Sequence, residues 1–145
     1  TKGFYQAGSG FCQPALPTFD GNIRKRPTAI ANEGTALAFV SCSAPKTFSD
    51  ANGFSDNEAQ YQLIVYNKGS AAVDVTCSLV NSFQAGSTTF PKTLSVAAGG
   101  RTFFRWDATT DNGGTEWQFP NFSCGLPPGT EVGYILYNFD SEIGA

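Results

Sequence analysis

The sequence predicts an all-β chain, an antiparallel two-layer β-sandwich with an irregular N-terminal arm and two disulfides. Three observations carry this expectation. Apolar residues fall in short or alternating runs of strand length, separated by Gly, Asn, Pro and Ser clusters, which is the pattern of half-buried strands. No stretch keeps a helical period for longer than about two turns. The four cysteines, Cys12, Cys42, Cys77 and Cys124, are dispersed, with no C-x-x-C pair and no histidine in the chain. Structural disulfides are distributed in this way in an oxidising compartment.

A length of 145 residues suits one domain. The expected division is an irregular arm over residues 1–27 and a β-sandwich over residues 28–145. Gly3, Gly8, Gly10, Pro14, Pro17, Gly21 and Pro27 break any period in the arm. Its Phe4, Tyr5, Phe11 and Phe19 are more aromatic surface than a free tail exposes, so the arm is expected to dock on its own domain or on a neighbour.

From Pro27 onward the elements follow in order. Thr35 to Ser43 reads as a strand, followed by a long polar loop through Glu58. Gln60 to Asn67 is a strand with Tyr61, Leu63 and Val65 on one face, and Asn67-Lys68-Gly69-Ser70 is hairpin-turn chemistry. Val73, Val75, Cys77 and Leu79 alternate with Asp74, Thr76 and Ser78, so Cys77 faces inward. Pro91 makes Thr88 to Val96 an edge or bulged strand. Ala98-Gly99-Gly100 then predicts a hairpin into Arg101 to Asp107, where Phe104 and Trp106 share one face and Phe103 and Arg105 the other. Ala108 to Pro128 reads as a loop, and Glu131 to Phe139 as the last strand.

Three cysteine pairings are open. The favoured one joins Cys12 to Cys42 and Cys77 to Cys124, against a four-thiolate zinc site whose ligands would normally come in close pairs. The absence of methionine means the sequence does not start at an initiator. Removal of a signal peptide is the simplest cause, so a secreted protein is expected, extracellular or on the cell surface, with the periplasm as a further setting. No apolar run reaches the length of a membrane-spanning helix.

The stretch Leu63-Ile64-Val65-Tyr66-Asn67-Lys68-Gly69, then Val73 to Leu79, then Leu94 to Gly100 and Thr102 to Trp106, resembles bacterial extracellular immunoglobulin-like domains over residues 60–107. The sandwich is accordingly expected to be immunoglobulin-like or jelly-roll-like. The resemblance implies a spacer, adhesion module or assembly subunit with no shared catalytic residues.

Chemistry follows from what is present and missing. Without histidine, Ser-His-Asp, Cys-His and H-E-x-x-H sites cannot form, and no phosphate-binding glycine loop occurs. No catalytic residue is assigned. A net charge of −3 with nine dispersed basic residues gives no footprint for nucleic acid, and Arg24-Lys25-Arg26 reads as a solvated loop. Asp107, Asp111, Glu116 and Glu131 are the carboxylates a glycosidase would need, read first as solvated charges. No cofactor is expected other than calcium. Its candidate ligands are Asp50, Asn52 and Asp56, beside Asn57 and Glu58, and Asp107 and Asp111, beside Asn112; neither set follows EF-hand order, and ordinary Asx turns compete.

Two binding classes remain. In the first, the chain is a structural or adhesive subunit that self-associates into a homo-oligomer or filament, with Phe4, Tyr5 and Phe11 of the arm docking on a neighbouring copy. In the alternative it is a carbohydrate-binding module that grips a polysaccharide by aromatic stacking. Trp117, in the Gly113 to Pro120 loop, is then the best exposed ring, and Trp106, Tyr66 and Tyr137 are further candidates read first as core.

Overall fold

The structure is a computed structural model of the chain and describes residues 2–44, 57–83, 86–115 and 117–140. In chain order these form β1 (Lys2–Ala7), one helical turn α1 (Gly8–Phe11), β2 (Cys12–Pro14), β3 (Ile23–Lys25), β4 (Ile30–Asn32), β5 (Ala38–Ser43), β6 (Asn57–Asn67), β7 (Val73–Phe83), β8 (Gly86–Val96), β9 (Arg101–Asp107), a second turn α2 (Ala108–Asp111), β10 (Pro120–Leu126) and β11 (Thr130–Asp140). The first sheet runs β3-β4-β11-β6-β9, with β1 also on β11, and the second runs β2-β5-β10-β7-β8. Every pairing is antiparallel. The two-layer antiparallel sandwich is therefore the fold.

Alternation sets the core. In β5, Ala38, Val40 and Cys42 are buried while Phe39, Ser41 and Ser43 are exposed. In β9, Phe104 and Trp106 point between the sheets and Arg101, Phe103 and Arg105 point away. The middle of the sandwich is aromatic: Tyr61 stacks on Tyr137 at 4.6 Å between centroids, and Phe122 lies 5.3 Å from Trp106. The Trp106 Nε1 donates to the Phe90 carbonyl at 2.9 Å, which satisfies its one polar group.

Four expectations change. The arm is irregular only in part: β1 pairs with β11 and β2 with β5, while β3 forms a hairpin with β4. The strands of residues 2–25 thus belong to the same two sheets as the rest, while residues 15–22 between β2 and β3 lie outside them. Asn67–Ser70 and Ala98–Gly100 are not hairpins, because β6 and β9 lie in the first sheet and β7 and β8 in the second. Both turns carry the chain between layers, the second through Gly99 at φ 66°. Within residues 60–107 the expected strands are present, arranged as crossover, hairpin, crossover. Finally, Cys124 lies in a strand, since the expected loop after Ala108 contains β10, with Phe122, Cys124 and Leu126 all buried. The disulfides join Cys12 to Cys42 and Cys77 to Cys124, the favoured pairing, and both bridge directly opposed residues within the second sheet.

The crossover corner is used twice. Asn32 and Asn67 are both buried. Each accepts from the glycine two residues on, Gly34 N at 2.9 Å and Gly69 N at 2.8 Å. Each also donates to the alanine four residues on, Ala36 O or Ala71 O, and to a carbonyl at the end of a strand in the other sheet, Leu126 O at 2.7 Å or Val96 O at 3.0 Å. The surrounding sequence repeats with the geometry: Asn32, Gly34, Ala36, Val40, Cys42 and Ser43 recur as Asn67, Gly69, Ala71, Val75, Cys77 and Ser78. Removing such a side chain strands buried backbone groups, so Asn67→Ala should lower stability by about 2–3 kcal/mol. Urea unfolding would show this, and Asn32→Ala should behave alike.

Candidate functional site

An antiparallel sheet with one face in the core normally carries polar residues on the other. The first sheet departs from that pattern. Reading its outer face from β1 or β4 across β11 and β6 to β9, the register gives successive rows: Gly3, Asn138, Gln60, Asp107; then Tyr5, Leu136, Gln62, Arg105; then Ala7, Tyr134, Ile64, Phe103; then Ala31, Glu131, Tyr66, Arg101. An apolar band thus crosses the sheet. Tyr5 is 66% exposed at one side and Phe103 44% exposed at the other, with Ile64 fully covered between them. Tyr66, Tyr134 and Leu136 are half-buried. Four strands place the two ends of the band about 15 Å apart.

The rings are held in place. Tyr5 and Tyr134 lie 5.7 Å apart. The Tyr66 ring rests over Gly133, where a β-bulge interrupts the register between Val132 and Tyr134. A Cβ at Gly133 would collide with that ring and touch Ile64, so the glycine provides the seat. Beside the band, Gln62 Nε2 donates to Gln60 Oε1 at 2.7 Å, and Asn138 Nδ2 reaches the same oxygen at 3.4 Å. Toward β4 the face deepens into a cleft of about 290 Å³ lined by Thr28, Tyr66, Lys68, Glu131 and Tyr134, in which Lys68 pairs with Glu131 at 3.3 Å. Flat rings flanked by fixed carboxamides suit a ligand with apolar faces and hydroxyl edges.

The sequence candidates scatter. Tyr5 joins the band. The Phe4 side chain lies outside the described residues, and Phe11 is half-buried at a separate cleft with Gln6, Gln13 and Lys25. Trp117 is not exposed: it is fully buried, edge-on to Phe90 at 5.1 Å. Its loop is drawn inward because Asn81 Oδ1 accepts from the N–H groups of Gln118 and Phe119. Trp106 and Tyr137 are core residues, and Tyr66 is the one of the four ring candidates on the outer face. Tyr134 was missed as a candidate: plain alternation puts it on the face of buried Val132, and the bulge between Val132 and Tyr134 is what turns it outward.

Among the calcium candidates, Asp50, Asn52 and Asp56 fall outside the described residues, as do the side chains of Asn57 and Glu58. Asp107 and Asp111 are spent internally. Asp107 Oδ1 caps α2 by accepting from Thr109 N and Thr110 N. Asp111 accepts from Asp107 N at 2.8 Å and sits 2.9 Å from the Lys92 ammonium, so the local positive charge is already supplied. No cluster of three His, Cys, Asp or Glu side chains fit for a metal occurs among the described residues. As a hydrolytic pair, Asp107 and Glu131 fail on distance. Their partners on β6, Gln60 and Tyr66, are six residues apart, about 20 Å along a strand, where a glycosidase needs about 5–10 Å. Glu116 lies outside the described residues.

Burial pushes the Asp111 carboxyl up, but the hydrogen bond from Asp107 N and the Lys92 ammonium outweigh it and hold the pKa below the ordinary value. A depressed folded-state pKa contributes stability above the unfolded value and loses it as pH falls through the folded one. Stability should therefore decline on acidification below the usual carboxylate range, and Asp111→Asn should flatten that decline. Denaturant midpoints between neutral and strongly acidic pH would measure it.

No family model and no curated protein matches the sequence. The fold is similar to several solved carbohydrate-binding modules at low identity. A family 11 module from Clostridium thermocellum, in complex with a β-1,3-1,4-mixed-linked tetrasaccharide, is 10% identical with a TM-score of 0.43, over 95% of this chain and 85% of that one. A structure described as CBM4 is 8% identical with a TM-score of 0.41, over 97% and 86%. The Podospora anserina GH26-CBM35 β-(1,4)-mannanase is 9% identical with a TM-score of 0.42; the match takes in 98% of this chain and 28% of that enzyme.

Proposed function

We propose that the chain is a non-catalytic polysaccharide-binding domain whose binding surface is the outer face of the first sheet. The observation that supports this is the band of Tyr5, Tyr134, Tyr66 and Phe103 across four neighbouring strands, edged by Gln60, Gln62 and Asn138. A solvent-facing sheet surface that gives up polar residues for aligned rings is an interaction surface. Ring faces cover the C–H faces of a sugar, and amides meet its hydroxyls. The band crosses the strands, so the glycan chain is read as running from β1 toward β9.

Self-association through the arm loses its motive. Its backbone is paired in cis, where β1 runs along β11, and its Phe11 and Phe19 pack against the core. Among the edge strands, β8 carries Pro91 and Lys92, residues that discourage strand addition. The reading is tested by affinity electrophoresis and calorimetry against a panel of soluble plant, fungal and bacterial polysaccharides. Tyr134→Ala should weaken binding about tenfold or more, the loss expected of a central aromatic contact. Thr89→Ala, on the second sheet, should leave it unchanged. Equal affinities for both variants would overturn the assignment of the face.

A further inference from the structure

The β9 side of the same face carries two arginines and one carboxylate, Asp107. Arg101, Phe103 and Arg105 all point outward on this edge strand, and Arg101 sits with its guanidinium carbon 5.8 Å from the Phe103 ring centroid. Three other described cations are neutralised, Arg26 by Glu33, Lys68 by Glu131 and Lys92 by Asp111, and Arg24 on β3 donates to the Asp20 and Ile23 carbonyls. Arg101 and Arg105 have no carboxylate partner among the described residues. The nearest acids on the face are committed elsewhere, Asp107 to the N–H groups of α2 and Glu131 to Lys68. A chain of net charge −3 thus presents two unpaired guanidinium groups bracketing an exposed ring.

Resting on the polysaccharide-binding reading above, we infer that the ligand is an acidic polysaccharide, held through uronate carboxylates by Arg101 and Arg105 with Phe103 stacking a sugar ring between them. The two arginines flank Phe103 along β9, each about 7 Å from it, so a chain that crosses β9 at Phe103 passes between them and meets one guanidinium on each of its edges. Guanidinium groups grip carboxylates through paired N–H donors, a geometry lysine does not offer. A neutral glycan would gain nothing from the two charges.

The test compares polygalacturonate and alginate with carboxyl-reduced polygalacturonate, a neutral mannan and dextran sulfate, using calorimetry on the whole folded chain. The expected result is tightest binding to one of the polyuronates, at least tenfold weaker binding after carboxyl reduction, and weakening as salt is raised. Arg101→Ala and Arg105→Ala should each cost several-fold, and the Lys variants should recover only part of the loss. The unfolding midpoint of each variant confirms that it is folded. Equal or tighter binding of mannan or reduced polymer, unaffected by the arginine variants, would overturn the acidic ligand and leave the aromatic face standing. Dextran sulfate binding as tightly as the polyuronates would reduce the site to a general polyanion surface and overturn carboxylate recognition. Failure to bind any polymer would overturn both readings.

Discussion

Trp117→Ala should lower the stability of the folded chain by about 3–5 kcal/mol, the cost of removing a large aromatic from a closed core. It should also leave polysaccharide affinity untouched. The indole is fully buried, packs edge-on against Phe90 and belongs to the core between the sheets, not to the outer face of the first sheet. Its Nε1–H finds no acceptor among the described residues, so the donor adds a desolvation cost with no bond to offset it. Trp117→Phe, which discards that donor and keeps much of the ring, should therefore cost far less, within about 1.5 kcal/mol. For a chain of this size the alanine variant should unfold roughly 10 °C or more below the parent. Thermal unfolding by circular dichroism measures the shift. A ligand-binding tryptophan would show the reverse, an unchanged melting temperature with lost affinity.

Trp117 also shows where sequence reasoning stops. Its neighbours, Gly113, Gly114 and Pro120, mark an exposed loop, and what pulls the ring inward is Asn81 on β7, a contact no local pattern announces. The strand β10 was hidden in the same way, because Pro120, Pro127 and Pro128 bracket an alternation of Phe122, Cys124 and Leu126 that is only three residues deep. Alternation elsewhere was legible: the split of Phe104 and Trp106 from Phe103 and Arg105 marked one margin of the outer aromatic face outright. The opposite margin was not legible, since it requires the first strand to pair with the last, Tyr5 beside Leu136. Periodicity says which face a residue takes and is silent on which strands adjoin. The repeated Asn-x-Gly-x-Ala motif at Asn32 and Asn67 was visible in the sequence. Read as a hairpin turn, the Asn67 copy concealed that both mark a change of sheet, because an asparagine that bonds forward to its own turn and across to another strand looks locally like any Asx turn.

Removing either disulfide should cost about 4 kcal/mol in the chain-entropy model, given separations of 30 and 47 residues. The two losses should nevertheless look different, because the bridges hold different amounts of structure. Cys77 and Cys124 join the central strands β7 and β10, with neither residue exposed. All four cysteines are core residues, so the difference lies in the strands: loosening the central pair in a Cys77→Ala, Cys124→Ala double variant should make the whole sandwich susceptible to protease. Cys12 and Cys42 join the edge strand β2, which spans only Cys12–Pro14, to β5. With that bridge gone, α1 and β2 can open while β1 stays paired along β11. Limited proteolysis of the Cys12→Ala, Cys42→Ala variant should then cut first within residues 8–27. Polysaccharide affinity should persist in that variant, since Tyr5 remains seated beside Tyr134. Cleavage spread evenly along the chain would instead mean that β2 is integral to the cooperative unit and that the N-terminal strands stand or fall with the core.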